Sequence, residues 1–152
     1  MKLALGADHA GYELKDHLVA RLRAAGHDIT DFGTDGPASV DYPDFAAEVA
    51  RAVAYEEAER GILVCGSGNG VAIAANKIAG IRAAVAHDVT SARLAVEHND
   101  ANVCCFGARF LGVQVVDDAV DAYLIAAFAG GRHVRRIEKI HRLELEEEIA
   151  DV

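Results

Sequence analysis

The stretch Gly61-Ile62-Leu63-Val64-Cys65-Gly66-Ser67-Gly68-Asn69-Gly70-Val71-Ala72-Ile73-Ala74-Ala75 decides the fold. Its first five residues make an apolar run of strand length, three glycines break that run, and helix-period residues start near Val71. Strand, tight glycine turn and helix in immediate succession are one half of a β-α-β unit. The same alternation continues in both directions. Lys2 to Ala7, His27 to Phe32, Ile81 to Ala86 and Asn102 to Phe106 read as further strands. Between the strands lie helical segments: Gly11 to Ala25, with Leu14, Leu18 and Leu22 four apart, then Asp44 to Glu57, Val71 to Ala79 and Thr90 to His98. Alternation with short connections requires a parallel sheet covered on both faces, and right-handed crossovers then favour a Rossmann-like α/β three-layer sandwich with a five-stranded sheet. Ligands of such sheets sit at the carboxyl ends of the strands.

Two helices follow the last strand. Val113 to Phe128 completes the alternation, Gly130-Gly131 breaks it, and Val134 to Ile149 forms an extra C-terminal helix. Its apolar positions Ile137, Ile140 and Leu143 make a narrow stripe, suited to lying against a neighbouring subunit; a simple surface helix is the alternative. No repeat or linker interrupts residues 1–152, which read as a single domain, and Gly33 to Pro43 is a long loop able to wall a site.

A net charge of -9 and a pI near 5.1 argue against nucleic acid as a partner. Cys65, Cys104 and Cys105 form neither a metal-spaced pair nor an even disulfide set, a pattern that suits a reducing cytoplasm. No apolar run approaches the roughly 20 residues of a membrane span, and the first residues carry no signal-peptide core, so the expectation is a cytoplasmic protein without membrane contact.

Chemistry concentrates at the strand ends: Asp8-His9 after the first strand, Cys65 and its glycine loop after the third, Asp88 after the fourth. The loop leads from a buried strand into a helix, so its amides can meet an anion, and three glycines let backbone approach a ligand closely. A ligand-free glycine turn is the bland alternative. The dinucleotide fingerprint is a rival, with Asp88 as its ribose-binding acid, but Val71 stands where the third glycine belongs. A thiol facing a helix N-terminus can ionise below its usual pKa of about 8.5, which would make Cys65 a base; most strand cysteines are inert, and Cys104 and Cys105 read as core. Arg132, Arg135 and Arg136 at a helix start oppose the macrodipole unless an anion such as phosphate compensates, or the acidic run Glu144 to Glu148 pairs with them. His9 and His98-Asn99 are read as facing the same rim.

Taken together, Gly6-Ala7-Asp8-His9-Ala10-Gly11, Cys65-Gly66-Ser67-Gly68-Asn69-Gly70, Ala74-Ala75-Asn76-Lys77, His98-Asn99 and Gly130-Gly131-Arg132-His133 make the chain resemble the ribose/galactose-phosphate isomerase family over almost its whole length. The resemblance implies a homodimer or homotetramer whose sites draw on two subunits, acting on a phosphorylated sugar without metal or redox cofactor. It casts Cys65 as general base and His98 as the acid that opens the sugar ring. Gly66, Ser67, Gly68, Asn69 and Gly70 would hold an enediolate, Asp8 and Asn99 sugar oxygens, and His9, Arg132 and Arg136 phosphate. Arg109 and Tyr42 match a substrate-contacting arginine and a site wall. One branch of the family uses a glutamate just after the loop; here that position is Val71, so the cysteine must serve. The implied reaction interconverts ribose 5-phosphate and ribulose 5-phosphate through a cis-enediolate. The alternatives are an isomerase of galactose 6-phosphate, allose 6-phosphate or erythrose 4-phosphate, and a non-catalytic sugar-phosphate or nucleotide-binding module, which would not need Cys65 near His98.

Overall fold

The structure, a computed structural model, describes residues 1–150. Five strands, β1 (Lys2–Ala7), β2 (Asp28–Asp31), β3 (Arg60–Cys65), β4 (Ala83–Val85) and β5 (Val103–Gly107), form one sheet in the order β2-β1-β3-β5-β4. Every neighbouring pair is parallel. The helices are α1 (Tyr12–Ala24), α2 (Tyr42–Ala54), α3 (Asn69–Ala75), α4 (Val89–Asn99), α5 (Val113–Ile125) and α6 (Arg132–Ala150).

The pleat sorts side chains between the two faces. Leu3, Leu5, Ile62, Val64, Cys104 and Phe106 pack with α1, α4 and α5, while Ala4, Leu63, Cys65, Val103 and Cys105 pack with α2 and α3. Leu14, Leu18 and Leu22 of α1 are buried as their four-residue spacing requires, each stabilising the fold by about 2–3 kcal/mol. Because α1 leaves β1 on one face and α3 leaves β3 on the other, the chain departs in opposite directions from these adjacent strands. That switch opens a crevice at their carboxyl ends, where Asp8 and Cys65 stand.

Several boundaries differ from the sequence reading, each for a local reason. β4 begins at Ala83 rather than Ile81, because the Arg82 amide donates to the Asn102 side chain (2.8 Å) and the Arg82 guanidinium to the Asp100 carbonyl (2.7 Å). α2 starts at Tyr42, with Pro43 in its first turn where a missing N–H costs nothing. α3 begins inside the glycine stretch, since Gly68 adopts the left-handed conformation (φ +82°) and turns the chain straight into the helix. α5 stops at Ile125, where the Arg60 guanidinium takes the carbonyls of Tyr123 and Ala126. None of the described helices is long and apolar enough to cross a membrane.

Candidate active site

Cys65 ends β3 with its side chain toward α2 and α3, only 4% exposed. The left-handed turn at Gly68 points that residue's amide back at the thiol, and the N–H donates to Sγ at 3.1 Å. A side chain at Gly68 would meet the Phe106 carbonyl carbon at 3.0 Å, so glycine is required there by both conformation and space. The Asn69 amide donates to Ser67 Oγ at 3.2 Å. Two of the loop's amides are thus spent internally, a correction to the expectation that all five face a ligand. Those of Gly66, Ser67 and Gly70 have no intramolecular acceptor among the described residues and remain available.

Asp8 faces Cys65 across the switch point. It is 6% exposed, and its Oδ1 accepts from the amides of Ala10 (3.0 Å) and Gly11 (3.1 Å), which fixes the carboxylate. Its Oδ2 makes no hydrogen bond among the described residues and is free for a ligand hydroxyl. With Tyr42, Gly66, Ser67, Gly70, Arg109 and Phe110, Asp8 and Cys65 line one cleft of about 370 Å³. Arg109 lies across Gly66, its Nη1 3.1 Å from where a Cβ would be, and the Tyr42 ring lies over Gly70, 2.7 Å from where a Cβ there would be. Phe110 escaped the sequence reading; the available signal was its place just past β5 at the carboxyl rim. His9 stands beside this cleft and accepts the Val40 amide at Nδ1 (3.2 Å), which leaves Nε2 as the nitrogen free to donate to an anion.

The closeness of Tyr42 to Gly70 gives a test with opposite signs for folding and function. Gly70→Ala favours the first turn of α3 by roughly 0.5–1 kcal/mol but pushes the half-exposed Tyr42 ring aside. The expected result is an unchanged or slightly raised Tm in a thermal melt together with a fall in kcat/KM of about 10–100-fold, the cost of misplacing a site wall by roughly 1 Å.

His98, Asn99, Arg132 and Arg136 are not in this cleft. α4 starts at the carboxyl end of β4 and returns across the sheet, so His98 and Asn99 at its end lie beside the amino end of β5, which starts at Val103. The reading that placed His98 on the same rim as Cys65 is therefore corrected for a single chain: helix length carries it to the opposite edge. There Asn99 lines a second cleft, of about 410 Å³, with Arg82, Ile140 and Glu144. The His98 ring stacks on that of His133, centroids 4.4 Å apart.

The remaining candidates resolve simply. Asp88 caps α4, accepting the Ser91 amide at 2.7 Å, and those bonds hold its carboxyl below the usual range, so it is a helix cap and not a ribose ligand. Cys104 and Cys105 are fully buried; burial pushes the Cys104 thiol up to about 12 and the Cys105 thiol well above its ordinary value. His17 pairs with Asp117 at 2.9 Å. Among the described residues, no three His, Cys, Asp or Glu side chains converge as a metal site requires.

A doubly wound sheet with a thiol, a fixed carboxylate and free loop amides at its switch point defines an α/β protein with a small polar cleft at the carboxyl ends of its strands. Comparison with known proteins narrows the class. Residues 3–140 match the model of the Ribose/Galactose Isomerase family. Ribose-5-phosphate isomerase B of Escherichia coli (strain K12) is 48% identical over 143 residues, covering 94% of this chain and 96% of that one. The structure superposes on ribose-5-phosphate isomerase B of Clostridium thermocellum with a TM-score of 0.95 at 48% identity, covering 97% and 99% of the two chains. It superposes on that of Mycoplasma genitalium with bound ribulose-5-phosphate at a TM-score of 0.91 and 41% identity, covering 95% and 97%. The chain belongs to the ribose/galactose isomerase family, and it is a sugar-phosphate isomerase.

Proposed function

We propose that the protein interconverts ribose 5-phosphate and ribulose 5-phosphate, with Cys65 as the base. The observation that carries the reading is the convergence of Cys65 Sγ, the free Asp8 oxygen and the unspent Ser67 and Gly70 amides on one cleft at the switch point. The relative holding ribulose-5-phosphate supports the choice of sugar.

In the reaction, His98 protonates the ring oxygen as the C1–O bond of the cyclic sugar breaks and the C1 hydroxyl loses its proton. The Cys65 thiolate then removes the proton from C2, and the electron pair moves into a C1–C2 double bond, leaving negative charge on O1. The Ser67 and Gly70 amides meet that charge. Preorganised donors of this kind are each worth about 3 kcal/mol of barrier. The thiol returns its proton to C1, and the O2 hydroxyl proton passes to O1 as the ketone forms at C2, so that O1 ends as a hydroxyl. Arg132, Arg136 and His9 hold the phosphate, whose binding energy keeps the open-chain sugar in register with the base.

His98, Asn99, Arg132 and Arg136 lie at the far edge of the same chain, so a complete site takes Cys65 from one copy and His98 from another. A homodimer, or two homodimers paired as a tetramer, meets this need. The exposed α6 residues Ile140 and Leu143, one turn apart on one face of the helix, give such an assembly an apolar stripe to cover. The free cysteines suit a reducing cytoplasm.

The test is turnover of ribose 5-phosphate, allose 6-phosphate, galactose 6-phosphate and erythrose 4-phosphate compared at equal enzyme. Ribose 5-phosphate is expected to give the highest kcat/KM. A higher value for another sugar would reassign the substrate while keeping the chemistry, and no turnover of any would favour a binding module.

A further inference from the structure

α6 is exposed along most of its length, yet its second residue, His133, is only 9% exposed. The chain brings it there deliberately. Gly130 and Gly131 both adopt left-handed conformations (φ +66° and +56°), the Ala129 amide donates to the Glu97 carbonyl at 3.0 Å, and the His133 amide donates back to Gly130 at 3.1 Å. This turn is pinned to the end of α4, one residue before His98, and it lays the His133 ring nearly flat on the His98 ring, with 17° between the planes. Burial, then His98, Arg132 and Arg136, all disfavour a charge on His133.

We propose that His133 is a positioning residue for His98, a flat aromatic platform that fixes the His98 ring for sugar-ring opening. The proposal rests on the isomerase reading above. A half-buried side chain at the end of a helix otherwise samples several rotamers, and an acid aimed at one ring oxygen loses rate when it does so. Stacking restrains the ring, while two cationic imidazoles face to face beside two arginines would repel. His133 touches no reacting atom in this scheme; it acts through His98.

The steps of the reaction separate this role from a structural one. Ribulose 5-phosphate has no free hydroxyl that can close a five-membered ring on its carbonyl, so exchange of its C1 proton with solvent needs Cys65 but no ring opening. His133→Ala is expected to lower kcat for ribose 5-phosphate about tenfold or more, a part of the roughly 10²–10⁴ that a placed acid supplies, with KM changed less. The same variant should leave C1 deuterium exchange of ribulose 5-phosphate, followed by NMR in deuterated water, within about twofold of wild type, because no proton transfer to the sugar ring oxygen enters that step. His133→Phe, which keeps a flat uncharged ring, should recover most of the lost turnover. Equal loss of both activities, no loss of either, or failure of phenylalanine where alanine also fails would overturn the proposal. Absence of both activities from the wild type would instead overturn the isomerase reading.

Discussion

Cys65→Ser is expected to lower kcat for ribose 5-phosphate by about 10³-fold or more while the thermal unfolding midpoint stays close to that of wild type. The change replaces one atom, and the serine hydroxyl can still accept the Gly68 amide that now donates to Sγ at 3.1 Å, so the loop keeps its turn. What is lost is the sulfur that takes the proton: a serine hydroxyl is a far weaker acid than a thiol, and the transfer of a proton from carbon by a placed base is worth roughly 10²–10⁴ in rate. No other thiol can substitute. Cys104 and Cys105 are fully buried, and burial drives both toward the protonated form, Cys104 to about 12. Steady-state assays with a thermal melt on the same samples check the point. A variant retaining more than about a tenth of wild-type kcat would remove the thiol from the role of base.

The second large effect comes from combining two dead enzymes. Cys65→Ala removes the base and His98→Asn the ring-opening acid, and each variant alone is expected to be nearly inactive on ribose 5-phosphate. If each site takes Cys65 from one copy and His98 from its partner, a heterodimer of the two variants contains one site with both groups intact and one with neither. Purified through two different tags after co-expression, it should show about half of wild-type turnover per dimer. If both groups instead came from the same chain, every site in that heterodimer would carry one defect and activity would stay at the level of the single variants. The separation of the two clusters within one chain makes the first outcome the expected one: Cys65 ends β3 at the carboxyl rim, whereas His98 ends α4 beside the start of β5.

Period and punctuation in the sequence carried most of the fold. Strands buried on both faces read as short apolar runs, and the leucines of α1 announced the packed face of that helix. Boundaries were less legible where a side chain far along the chain decides them, as Asn102 does for β4 and Arg60 for the end of α5. Of the site, Cys65, Asp8 and the glycine loop could be found because strand ends of a doubly wound sheet share one rim. Position along the chain does not say how a loop spends its amides, so the engagement of Gly68 with Sγ needed coordinates. The place of His98 was legible, because a crossover helix between parallel strands must end at the amino edge, and an expectation of His98 beside Cys65 within one chain runs against that topology. Phe110 and His133 were missed for another reason: an aromatic ring beside a site and one inside a core look alike until their neighbours are known.

The most direct measurement is conversion of ribose 5-phosphate by the wild-type protein, followed by proton NMR in deuterated water. Formation of ribulose 5-phosphate to a stable equilibrium, approached from either sugar, with deuterium entering at the carbon that receives the proton, is the predicted result. Failure to form ribulose 5-phosphate from ribose 5-phosphate, with the chain folded and assembled, would contradict it.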